Sequence, residues 1–80
     1  MQIENTTIAT APAGLKIRAL RRANDWTQAR LALSCLMSRQ NLAAVERGTR
    51  PLYPLWRKRI AFVLGLNESD LLEPTDSATP

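Results

Sequence analysis

Residues 26–48 read Trp26-Thr27-Gln28-Ala29-Arg30-Leu31-Ala32-Leu33-Ser34-Cys35-Leu36-Met37-Ser38-Arg39-Gln40-Asn41-Leu42-Ala43-Ala44-Val45-Glu46-Arg47-Gly48. One arrangement occurs twice in this run: an apolar residue, a polar cap, three further residues and another apolar residue. Trp26-Thr27…Leu31 is the first instance and Met37-Ser38…Leu42 the second. Each has the form of a hydrophobic staple, in which the residue before the N-cap packs on the fourth helical residue. The cap side chain meanwhile accepts from an amide that has no partner inside the helix. Helices are therefore predicted over 28–35 and 39–47, with Gly48 closing the second in the left-handed conformation.

Outward from this pair the boundaries stay legible. A helix over 13–23, with Ile17 and Leu20 facing inward, stops at Asn24-Asp25, residues that tolerate the left-handed turn. Another begins at Pro54, a favourable first helical residue, and runs to Leu64 before Gly65. Leu66-Asn67…Leu71 repeats the staple and predicts a fifth helix over 68–72. Ala, Leu and Arg dominate, β-branched residues are few and strict alternation is missing, so the class is all-α. Residues 1–12 read as a loose arm, 13–72 as the folded domain and 73–80 as a frayed tail. The expected core is Ile17, Leu20, Trp26, Leu31, Ala32, Cys35, Met37, Leu42, Val45, Ile60, Leu64, Leu66 and Leu71. The lone Cys35 serves there as a small hydrophobe.

Composition narrows the function. Eighty residues hold one small domain. The absence of histidine and the single cysteine exclude an internal disulfide, a Cys/His metal cluster and histidine-based nucleophilic triads. No enzyme, cofactor or metal is expected. The longest apolar run, Ile60 to Leu66, is too short to span a bilayer, and the first fourteen residues lack a signal-peptide pattern. A soluble, cytoplasmic protein is expected. Its net charge of +4 hides an asymmetry, because all eleven cations lie between Lys16 and Arg59, where the only acids are Asp25 and Glu46. That segment carries +9 and the flanks −5. Such a segment suits a polyanion, either nucleic acid or an acidic membrane surface, against the bland reading of a solvated basic face.

Two residues or so separate the helices over 28–35 and 39–47, so they must cross steeply, as in a helix-turn-helix. With Leu42 and Val45 inward, the outer stripe of the second helix is Arg39, Gln40, Ala43, Ala44 and Arg47. It is basic and amide-bearing, and its alanines allow close approach. The major groove of B-DNA admits one helix, where Arg pairs with guanine and Gln with adenine. The alternative is an ordinary solvated helix face.

The run from Gly14 to Glu73 resembles the DNA-binding domain of the lambda-repressor/Cro-like (XRE-type) helix-turn-helix family. The matching residues are Ile17, Arg18, Leu20 and Arg21; then Trp26, Thr27, Gln28, Leu31 and Ala32. They continue with Ser38, Arg39, Leu42, Val45, Glu46 and Gly48, and with Ala61, Leu64, Gly65 and Leu66. The resemblance implies a compact five-helix domain with helices 2 and 3 forming the helix-turn-helix. It implies that Arg39, Gln40 and Ala44 read base edges, with Asn41 at the border between base and backbone. Gln28, Ser38, Arg47 and Arg50 would hold phosphates. Arg21 and Glu46 match an ion pair between helices 1 and 3 that could also present Arg21 to phosphate. Leu36 departs from the pattern, since glycine is common there. A bulky left-handed residue is strained by about 1–2 kcal/mol, so a distorted or longer turn is expected. Arg57 and Lys58 stand where leucines are frequent, which leaves Trp56 and Val63 to supply the apolar face.

One such helix reads too few base pairs to find a genomic site, so a homodimer on a palindromic operator is expected, with half-sites about 34 Å apart. Leu71, Leu72, Tyr53, Leu55 and Trp56 are the candidates for its interface. The partner is double-stranded DNA rather than membrane. Occupancy would block RNA polymerase or recruit it from an upstream site. The resemblance fits a bacterial or phage-encoded regulator. The competing readings are a protein-interaction module such as an antitoxin-like domain, a single-strand or RNA binder, which the sparse aromatics disfavour, and a hydrolase or metal enzyme.

Overall fold

A computed structural model describes residues 12–72. The expected tail at 73–80, and the arm at 1–12 apart from Pro12, lie outside the described residues. Four α-helices follow one another: α1 (Ala13–Ala23), α2 (Gln28–Ser34), α3 (Arg39–Arg47) and α4 (Pro54–Leu64). A 3-10 turn, Glu68–Leu71, stands where a fifth α-helix was predicted. Asn67 and Asp70 form a reciprocal capping box there, and Leu72 returns to extended backbone, so the segment closes after one turn. Four α-helices among the described residues, and the end of α2 at Ser34, correct the expected five helices and the boundary at residue 35.

Every α-helix ends in the same way. The left-handed residues are Asp25, Leu36, Gly48 and Gly65. In each case the next amide reaches back to the helix: Trp26 to Arg21, Met37 to Ala32, Thr49 to Ala44 and Leu66 to Ala61, at 2.8–3.0 Å. This bond satisfies a carbonyl left free by the helix end. Three of these closing residues, Trp26, Met37 and Leu66, are apolar and pack against the core. Each is followed by the next cap. The Thr27 hydroxyl accepts from Arg30 N at 3.1 Å and Ser38 from Asn41 N at 3.0 Å. One apolar side chain thus ends one helix and begins the next, which fixes the crossing of α2 and α3. Leu36 takes φ 59° in an otherwise regular turn, so the expected distortion does not occur and the strain is borne locally.

The core contains Ile17, Leu31, Ala32, Cys35, Leu42, Val45, Ile60 and Leu71, together with Ala13, Leu52 and Ala61, which were not predicted. Trp26, Met37, Leu64 and Leu66 are only partly buried against it, and so are Trp56 and Val63. Leu20 is half-buried as well. Burial pushes the Cys35 thiol up to about 11, with the Arg59 charge pulling weakly the other way, so it packs as a neutral group. α1 packs chiefly on α3. Their close approach depends on Gly14, where a Cβ would run into the backbone carbonyl of Val45.

Gly14→Ala must separate α1 from α3, and the expected loss is about 1–3 kcal/mol, measured by denaturant unfolding. Leu36→Gly removes left-handed strain of about 1–2 kcal/mol against a glycine entropy cost of about 0.5–1 kcal/mol. Leu36 is exposed, so little burial is lost. The melting temperature is expected to rise by a few degrees, and a fall would show that the side chain is needed.

Candidate nucleic-acid interface

The site is built on a buried charge pair. Arg21 near the end of α1 and Glu46 near the end of α3 are 7% and 3% exposed. Arg21 Nε donates to Glu46 Oε2 at 2.7 Å and Nη2 to Oε1 at 3.1 Å. Nη1 donates to the Trp26 carbonyl at 2.8 Å, and Gln28 Nε2 adds a second bond to Glu46 Oε1 at 3.1 Å. The bonds to Glu46 hold the Arg21 pKa above its ordinary value, against the opposing pull of burial. One carboxylate therefore ties α1, the start of α2 and α3 together. Arg30 stacks over the Trp26 ring at 4.4 Å and covers the same corner from outside.

On this base α3 presents its outer face. Arg39 and Gln40 are exposed, Asn41 and Ala44 half-buried, and Arg47 and Arg50 exposed. Ala43 was predicted on the outer stripe but is buried. The inward arc of α3 is wider than Leu42 and Val45 alone, because Ala43 and Glu46 turn towards α1. Ser38 is exposed at the start of α3, and Gln28 is half-buried with its amide engaged by Glu46. The Thr49 hydroxyl donates to the Ala44 carbonyl at 3.2 Å, fastening the loop that carries Arg50. Arg21 departs from its second expected role, because it is buried with each guanidinium nitrogen bonded inside the domain, and it acts as a tie.

Between α1, the start of α2 and α3 lies an open cleft. Ala43 and the Arg21–Glu46 pair line it, and Thr27 and Gln28 border it beside Arg39 and Arg47. Arg18 and Arg22, which the sequence reading left without a role, form its α1 side. Their spacing of four on one helix was the available signal.

The proposed dimer residues fare unequally. Leu71 is fully buried in the core and cannot face a partner, which removes it. Leu72 is half-buried, and Trp56 is half-buried with its ring set edge-on to Tyr53 at 5.0 Å. Tyr53 and Leu55 are exposed. Phe62, which the sequence reading did not single out, is 86% exposed, seven residues after Leu55 on the outer side of α4. Among the described residues no group of His, Cys, Asp and Glu could hold a metal ion. No described helix is long and apolar enough to cross a membrane.

Two short capped helices crossing at a tight turn, with the second exposing a basic and amide-bearing face, define a helix-turn-helix DNA-binding domain. A helix-turn-helix family model matches residues 17–56, half of the chain. The chain belongs to that family, of the lambda-repressor (XRE) type. No curated protein and no solved structure gives a significant match.

Arg21→Met leaves Glu46 buried without its counter-charge, and the expected loss is about 3–5 kcal/mol. The double variant Arg21→Met/Glu46→Leu leaves neither charge alone and should recover much of that loss. A double-mutant cycle measured by urea unfolding checks this, and additive losses would mean that the two side chains are not coupled.

Proposed function

We propose that this protein is a sequence-specific regulator of transcription that reads duplex DNA with α3. The carrying observation is the exposure of Arg39 and Gln40 on a helix fixed against α1 by the buried Arg21–Glu46 pair. Rigid placement matters because base discrimination needs two hydrogen bonds at once from a planar group. Arg39 and Gln40 contact base edges, Ala44 lies against thymine methyls, and Asn41 stands at the edge of the groove. Gln28, Ser38, Arg47 and Arg50 hold the backbone. For Gln28 the amide hydrogen not engaged by Glu46 is the available donor.

The protein acts as a homodimer on a palindromic operator. Tyr53, Leu55 and Phe62 support an interface on the outer side of α4, with Trp56 and Leu72 at its margin. Regulation is by occupancy, blocking RNA polymerase or recruiting it, in a cytoplasmic setting. The interaction-module reading predicts weak DNA binding without base preference, and the Arg39–Gln40 face argues against it as the sole role.

Arg39→Ala is expected to cost about 1–3 kcal/mol and relax preference at one base pair, whereas Arg47→Ala should weaken all sequences alike. Fluorescence anisotropy on a selected duplex and its single-base variants distinguishes the two. Unchanged affinity and preference in Arg39→Ala would refute this placement of the reading face.

A further inference from the structure

Four arginines surround the cleft between α1 and α3: Arg18 and Arg22 on one side, Arg39 and Arg47 on the other. All four are exposed, and among the described residues none of their guanidinium groups makes a hydrogen bond or an ion pair. The one carboxylate in the cleft, Glu46, is already bonded by Arg21 and Gln28. It therefore neutralises the floor and leaves the rim uncompensated. Four like charges held around one concavity repel one another in the free protein, and an anion seated among them relieves that repulsion. Structural arginines find partners within the fold, as Arg21 does, and among the described residues these four do not.

We infer that Arg18 and Arg22 form the second side of a phosphate seat that takes the sugar-phosphate strand bordering the groove entered by α3. This rests on the duplex-binding reading and extends it to a helix outside the helix-turn-helix. The 3.6-residue period puts Arg18 and Arg22 on one face of α1, about 6 Å apart along its axis, close to the spacing of successive phosphates. Arg47 faces them from α3, so the strand is gripped from both sides, while Arg39 at the same rim extends to the bases. The ion pair beneath keeps the two sides at a constant distance. The contact is to backbone alone, so it adds affinity and fixes the docking angle of α3 without altering base preference.

The test compares four full-length proteins on one selected duplex over a range of salt: the parent, Arg18→Gln/Arg22→Gln, Arg18→Lys/Arg22→Lys, and Lys16→Gln as a control on the side of α1 that meets the 3-10 turn. Removal of two phosphate contacts should make the slope of log K against log salt shallower by about two and weaken binding roughly tenfold or more at 0.1 M salt. The ranking of single-base variants should stay as in the parent. The lysine pair should keep the parental slope, and so should Lys16→Gln. Circular dichroism confirms that each variant is folded. A parental slope in the glutamine pair overturns the inference. So does an equal loss in the lysine pair, since charge would then not be the cause. Competition by inorganic phosphate at constant ionic strength gives a further arm. If the glutamine pair loses phosphate binding but keeps the duplex slope, the cleft is a free-anion site and the inference fails. Failure of the parent to bind duplex with base preference would instead remove the underlying reading.

Discussion

The Arg21–Glu46 pair is the constraint on which the rest of the domain depends. A carboxylate on α3 accepts three hydrogen bonds, two from Arg21 on α1 and one from Gln28 on α2, while the same arginine holds the Trp26 carbonyl between α1 and α2. Burying two charges in an 80-residue protein costs desolvation, and hydrophobic residues of similar size could give as much stability. Hydrogen-bond direction supplies something that apolar contact lacks. The guanidinium fork donates to its carboxylate in one plane, so the rotation of α3 about its axis is set as well as its distance from α1. A helix that reads bases needs that rotational register.

The second determinant is local and repeats. A left-handed residue, an apolar residue and a capping residue follow one another at Asp25-Trp26-Thr27, Leu36-Met37-Ser38 and Gly65-Leu66-Asn67. The apolar residue closes one helix by its amide and staples the next by its side chain. No room remains for a longer connection, so the crossing follows from the chain itself. At the middle turn the left-handed position is a leucine, and the regular geometry shows that the surrounding bonds outweigh the strain.

Much of this was legible in the chain, and for a physical reason. Caps and left-handed stops depend on residue chemistry within four positions, so the bounds of α1, α3 and α4 follow directly from the sequence. Contacts between elements were harder to read. Ala43 looks like an outward residue until the packing of α1 is known, and the need for Gly14 exists only where two backbones meet. Leu71 follows a staple pattern that fits either a core residue or an exposed one, and the 3-10 turn draws it inside. Phe62 was hidden by its neighbours, because an apolar run in α4 does not disclose which member faces out. Arg18 and Arg22 carried no role in the sequence because their meaning depends on α3 standing opposite.

The most direct measurement is selection of bound duplexes from a random pool, repeated at two salt concentrations. A palindromic consensus with half-sites one helical turn apart is expected, retained at both salts while total binding falls steeply. A recovered pool without base preference, at an affinity that depends on salt alone, would contradict it.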